Sequence, residues 1–193
     1  MRRRRLLGLT AAATAGSVAG CLGGAPTGGG GDAGGGDGEG GGGDGEGGGG
    51  GEETDIEWPT GTYADYETTT VRVESPEGDE LGSVTAAIAD DGDKRPLGLS
   101  DAEALPEDGG MLFTYGSPRD LTFIMPNMSF GIDIVFVDGD REITRIHNAP
   151  EPGPNENGSE QEYDGTGQYV LEVPYEWTDR HGVEVGDSLR FDL

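Results

Sequence analysis

Short apolar runs separated by turn residues pattern the C-terminal two-thirds of the chain, and they are densest across residues 109–138. Runs of four to eight β-branched and aromatic residues, bounded by Gly, Pro, Asp and Ser, predict strands. Residues 109–115 and 121–128 are expected to be two strands, joined by a turn through Gly116, Ser117, Pro118, Arg119 and Asp120. A third follows at 132–137, where period-two alternation sets Ile132, Ile134 and Phe136 on one face and Asp133, Val135 and Val137 on the other. Asp133 therefore sits among apolar neighbours. This stretch is the expected centre of an all-β fold.

The flanking segments carry weaker versions of the same pattern. Residues 68–74 and 81–89 alternate around a turn at Ser75-Pro76-Glu77-Gly78-Asp79, which predicts a hairpin. Helical character is confined to 94–105, where Ser100-Asp101-Ala102-Glu103 has capping-box spacing and Pro106 sets the end. Asp138-Gly139 signals a two-residue type I′ turn into a strand over 141–147. Residues 148–166, rich in Pro, Gly, Asn and Glu, are expected to form a long exposed loop. A strand over 168–174, a corner around Tyr175, Trp177 and His181, and a last strand over 183–191 complete the chain. Ahead of all these, Ile56, Trp58, Pro59 and Tyr63 are placed to dock on the domain's edge. The expectation is one domain over 60–193, all-β and mainly antiparallel, jelly-roll-like or barrel-like, with one short helix.

The first 52 residues have a different character. Four arginines, Arg2 to Arg5, precede about 14 apolar or small residues and then Val18-Ala19-Gly20-Cys21. A bilayer-spanning helix needs roughly 20 apolar residues, so this segment predicts a leader rather than an anchor. It resembles a bacterial or archaeal lipoprotein signal over residues 1–20, and Arg3-Arg4-Arg5-Leu6-Leu7 resembles the twin-arginine export pattern. That resemblance implies export in the folded state, cleavage before Cys21 and lipid on its thiol. Because Cys21 is the only cysteine, an intramolecular disulfide is excluded. Residues 21–52 are expected to form a tether: from 22 to 51, 20 of 30 residues are Gly and half of the others are acidic, too polar to offset ordering entropy. A flexible coil of that length spans roughly 30 Å.

Charge narrows the partners. The whole chain carries a formal charge of −26, and cleavage before Cys21 would leave eight basic against 38 acidic residues, or −30. Such a surface repels nucleic acid and anionic headgroups, leaving the membrane as a partner only through the Cys21 lipid. Dispersed acid with one lysine, Lys94, fits a surface solvated in molar salt, and a cation-binding surface is the competing explanation.

A family likeness emerges from six motifs in register: Gly98-Leu99, Gly110-Met111-Leu112-Phe113, Phe123-Ile124-Met125-Pro126-Asn127, Ile132-Asp133-Ile134-Val135-Phe136, Tyr169-Val170-Leu171-Glu172, and Gly182-Val183 with Gly186-Asp187. In order and spacing the chain resembles domain-of-unknown-function family 192 from about residue 71 to 191. Residues 128–133 and 146–154 look like its haloarchaeal branch. The resemblance implies a compact jelly-roll-like β structure with no established activity. Ile124 stands where the family usually has tryptophan, Pro126 where it has lysine, Gly131 where it has proline and Ser100 where it has methionine.

No constellation on the page carries catalysis. Ser129, His147 and Asp133 are the right types for a triad, but no Gly-x-Ser-x-Gly elbow accompanies them. Asn127, Asp133 and Glu172, with Arg119 and Arg145 nearby in the pattern, form the candidate polar pocket, able to take a small ligand or a hard cation such as Ca²⁺. The competing structural role has Asp133 accepting backbone N–H groups or pairing with Arg119 or Arg145. His147 and His181 are weak metal candidates without close partners, and no cofactor is expected. The acidic runs 138–142 and 155–159 lack the remaining ligands of a calcium loop. Two N-glycosylation sequons occur, at Asn127 in the apolar centre and at Asn157 on the exposed loop, the latter being the candidate. The functional expectation is a non-enzymatic binding or scaffold module held at the outer face of the cell membrane. The alternative is a hydrolase of envelope glycans or peptides using Asp133 and Glu172 as paired carboxylates, roughly 5 to 9.5 Å apart.

Overall fold

A computed structural model describes residues 57–193, and the leader, Cys21 and the glycine-rich segment lie outside them. Seven strands form one curled sheet: β1 (Thr68–Glu74), β2 (Glu80–Ala89), β3 (Gly109–Phe123), β4 (Ile132–Val137), β5 (Ile143–Ala149), β6 (Tyr163–Pro174) and β7 (Ser188–Arg190). Their order is β5-β4-β6-β3-β2-β1-β7, antiparallel throughout except for β2 beside β3. Two short helices, α1 (Lys94–Leu97) and α2 (Trp177–His181), interrupt the strands. The sheet's ends approach each other where Glu142 bridges Ser188 and the Ile143 N–H donates to Asp187 O at 2.8 Å. An all-β, barrel-like domain results, in which one sheet bends back on itself.

Apolar residues on both faces of the central strands produce two cores. All six residues of β4 are buried, which is the continuous apolar run expected of a doubly covered strand. On the concave side Val71, Val84, Leu112, Val135, Leu171 and Leu189 pack around Trp177. The opposite face gathers Met111, Phe113, Ile134, Phe136 and Val170. It is covered by Tyr63, Leu99 and Met125, and the expected docking of the N-terminal segment is made by Trp58, whose Nε1 donates to Gly110 O at 2.9 Å.

Asp133 is the one charged residue that β4 turns into the concave core, and it is fully buried. Its carboxylate accepts hydrogen bonds from the backbone N–H of Glu176 (2.9 Å) and Thr178 (2.8 Å) and from the Thr178 hydroxyl (2.7 Å). Burial pushes its carboxyl above the usual carboxylate range, and these three bonds pull it back. The contact fastens the start of α2 to the sheet and so seats Trp177, whose ring closes on Gly82 so tightly that an added Cβ there would lie 2.8 Å from Trp177 and His181. Of the two structural roles foreseen for Asp133, backbone capping is the one realised, without Arg119 or Arg145.

Several local expectations give way to tertiary pairing. Residues 116–120 do not turn the chain: β3 runs on to Phe123 because β6 is long enough to pair with both halves, and the intervening residues form an irregularity between Thr114 and Arg119. Thr122 Oγ1 to Asp164 and Thr166 Oγ1 to Asp120 reinforce that far half, at 2.6 and 2.7 Å. The strand thus ends before Asn127, which is exposed in a turn at φ 57° rather than in the apolar centre. The turn after β4 is longer than type I′: Asp138 Oδ1 accepts from the N–H of Asp140 and Glu142, and positive φ falls on Arg141. No helix follows Ser100, whose N–H instead closes a turn on Leu97 O, so the capping box is not formed. The expected 19-residue loop contracts to the segment between β5 and β6, while the C-terminal strand shortens to β7 because Glu184 to Asp187 form a turn, closed by Asp187 N–H on Glu184 O and Glu184 N–H on Asp187 Oδ2.

Replacing Asp133 by Ala strands two backbone donors and the Thr178 hydroxyl, at about 1–3 kcal/mol for each buried group left unmet. A loss of at least about 3 kcal/mol in unfolding free energy is expected, measured by urea titration, with Trp177 fluorescence reporting release of α2.

Candidate functional site

Neighbouring strands present the two buried carboxylates of the sheet to opposite sides. Asp133 on β4 pairs with Val173 on β6, and Ile134 pairs with Glu172, so Glu172 projects from the face opposite Asp133. On its own face Glu172 is flanked in the ladder by Met111 and Ile134, both fully buried. Strand pairing alone would leave it in hydrocarbon. Above it, however, the covering layer is irregular chain: α1 with the turns after it, and the β3–β4 connection, leave a partly open cavity of about 280 Å³.

Glu172 is 4% exposed, and its Oε2 is buried without a hydrogen-bond partner among the described residues. Burial alone pushes its carboxyl up to about 8, so the empty site holds a neutral acid at neutral pH. The walls combine apolar and aromatic side chains, among them Phe113, Phe123, Met125 and Ile132, with polar surface. Phe113 and Phe123 are locked edge to face with centroids 4.9 Å apart. Arg95 also lines the cavity, but its guanidinium is engaged elsewhere: Nε donates to Thr114 O at 2.9 Å, Nη2 donates to Asp90 O, and the group lies over the Tyr115 ring at 4.9 Å. Unmet buried polar atoms are costly in a structure that satisfies nearly all others, so this carboxyl marks the site.

The remaining expected site residues disperse. Arg119 is exposed, its guanidinium 5.4 Å from the Tyr115 ring centre. Arg145 is exposed on β5, and Asn127 stands out in its turn, so the five residues foreseen as one polar pocket do not converge. His147 is held between the rings of Phe136 and Tyr163 with Nε2 2.9 Å from Asp164 O, whereas His181 stacks on Trp177 at 4.2 Å. Among the described residues no group of three or more His, Cys, Asp or Glu side chains could hold a metal ion. Paired-carboxylate hydrolysis is overturned: the sheet separates Asp133 from Glu172, and α2 already occupies Asp133. Ser129 is exposed, and with Asp133 committed to α2 no triad assembles around His147. Asn157 remains exposed, its Oδ1 accepting from the Ser159 N–H.

Burial of Glu172 has a thermodynamic consequence. Its pKa in the fold, about 8, lies above the unfolded value of 4.5, so the folded protein binds the extra proton between these limits. Stability from this group is therefore full below about pH 4.5 and is lost as pH rises through about 8, by on the order of 4 kcal/mol. Glu172→Gln removes the titration. Equilibrium unfolding of both proteins should coincide near pH 4.5 and diverge toward about pH 9, the variant being the more stable.

Solved structures share this architecture. A candidate transcription regulator from Sinorhizobium meliloti 1021 is 30% identical, with a TM-score of 0.59 over 65% of this chain and 95% of its own. A protein of unknown function from Novosphingobium aromaticivorans DSM 12444 is 22% identical, again with a TM-score of 0.59, over 72% of this chain and 95% of its own, a likeness of fold. No curated protein matches the chain. The strands that carry the cavity, from β3 through β6, fall inside the span matched by the model of domain-of-unknown-function family 192, described as Uncharacterized ACR, which covers residues 73–191 and makes this chain a member of that family.

Proposed function

We propose that the protein is a non-enzymatic binding module held at the outer face of the cell membrane, and that its ligand is a small molecule seated over Glu172. The observation that carries the binding role is Glu172, which lines a partly open cavity of about 280 Å³ and has its Oε2 buried without a hydrogen-bond partner among the described residues. Pockets that take small ligands combine apolar walls with a few convergent polar groups, and this one has Glu172, Ser100 and Thr122 among its aromatic and aliphatic neighbours. Catalysis gains no support, because the second buried carboxylate belongs to the other face of the sheet.

The anchoring role rests on sequence. Arg2 to Arg5, the short apolar segment and Cys21 have the layout of a lipoprotein leader, and the Gly-rich stretch after it gives reach. Among the described residues no helix is long and apolar enough to cross a membrane, so lipid on Cys21 is the proposed attachment. The −26 charge and single lysine support a surface suited to high salt.

Both parts are open to direct measurement. A thermal-shift screen of small polar metabolites in molar salt should yield compounds that raise the melting temperature of the wild-type domain by several degrees, since ligand at 100 times its Kd adds about 2.7 kcal/mol. A screen in which no compound moves the wild type would end the binding role. For the anchor, intact mass of the full-length protein expressed in a lipoprotein-processing host should correspond to a chain beginning at an acylated Cys21, and Cys21→Ser should leave the membrane fraction. An unprocessed, unacylated leader would remove the anchor without touching the cavity.

A further inference from the structure

We propose that the cavity's ligand is a small organic cation with an ammonium headgroup that supplies the counter-charge Glu172 lacks. This rests on the binding role proposed above and names its chemistry.

Four observations converge on a cation. Glu172 faces the cavity with Oε2 unpaired, and the protein brings no cation to it: burial is the sole cause of its shift, while Arg95 is committed to Thr114, Asp90 and Tyr115. Tyr63 and Tyr115, the other titratable groups that sense Glu172, are both held neutral by burial. Phe113 and Phe123 line the same space, fixed against each other, and aromatic rings within about 6 Å stabilise an ammonium through their quadrupoles. The chain as a whole carries a formal charge of −26, which favours cations over anions as ligands.

The same walls discriminate against a metal ion. Calcium requires six to eight oxygen ligands, and magnesium a near-ideal octahedron. Here Glu172 is the only carboxylate that lines the cavity, and the other side-chain oxygens are the neutral hydroxyls of Ser100, Thr122 and Tyr115, so a hard cation would lack the several anionic ligands that usually hold it. An alkylammonium matches that mixture, with its charge on the carboxylate and its carbons on the aromatic wall. Taking about 30 Å³ for each water-sized group, the cavity holds a ligand of roughly nine non-hydrogen atoms.

Binding should also move a proton. Below about pH 8 the empty site holds neutral Glu172; an ammonium favours the carboxylate, drives the proton off, and leaves a charge-assisted pair. A neutral ligand leaves the proton in place.

The test is calorimetric titration of the wild-type protein with choline and n-butylammonium, and with their neutral isosteres, the carbon analogue of choline and n-butanol. Each titration is repeated at pH 7 in two buffers of different ionisation enthalpy. The expected result is binding of an ammonium roughly tenfold or more tighter than its isostere, with release of about one proton. Glu172→Gln should abolish that preference and the proton release, and Met128→Trp, which fills the cavity, should block every ligand. Isosteres that bind as well as the ammonium probes, without proton release, would overturn the cation while leaving the cavity as a ligand site. Ammonium binding that survives both variants would place the ligand elsewhere and overturn the proposal. If these probes fail while the wider screen finds a neutral or anionic ligand blocked by Met128→Trp, the cation is wrong and the cavity stands; if nothing binds in either experiment, both fall.

Discussion

Burial on both faces of β4 and of the halves of β3 and β6 beside it is the constraint from which the rest of this structure follows. A strand with one solvated face can place its polar side chains in water, but these three have little room for that. A carboxylate on such a strand must be met by the protein, met by a ligand, or carry its proton. Asp133 and Glu172, on adjacent strands and opposite faces, meet this constraint differently.

Asp133 is satisfied internally. The chain after β6 turns through Glu176 at φ 58° and offers two backbone N–H groups and a hydroxyl to the carboxylate. The same turn drives Trp177 into the concave core, so a polar contact and a large apolar burial are set by one short segment. Glu172 has no such segment above it. What covers it is α1 and two irregular connections, whose backbone direction is dictated by linking strands rather than by filling space, and they leave a void where the carboxyl points. A site that is costly for folding and unnecessary for holding elements together is where a binding function has room to reside.

How much of this could be read beforehand varies by element. Residues 68–89 and 132–137 are legible because alternation and turn chemistry are local: the hairpin forms, and Ile132, Ile134 and Phe136 share a face opposite Asp133, Val135 and Val137. Gly116-Ser117-Pro118 misleads because a bulge and a turn call for the same residues, and only the length of β6 decides between them. Capping-box spacing at Ser100 misleads because a helix needs a packing face, and Leu99 and Ala102 are drawn onto the outer core one by one from turns. Glu172 and Asp133 were singled out together, but their separation by the sheet follows from a register that places Ile134, not Asp133, beside Glu172. Ser100, Ile124 and Pro126, from two separate connections, line the same cavity, a convergence no linear reading shows.

What the sequence settled by itself is what depends on near neighbours: β character, the face each residue takes along a strand, and the acidic charge. These follow from backbone sterics and period-two geometry, which act over a few residues. Tertiary structure alone decided which strands are adjacent, that β2 and β3 run parallel, that Asp133 receives α2, and that Glu172 is left facing a cavity. Those outcomes depend on pairing between segments tens of residues apart, whose register is fixed only when both faces of the sheet are packed at once.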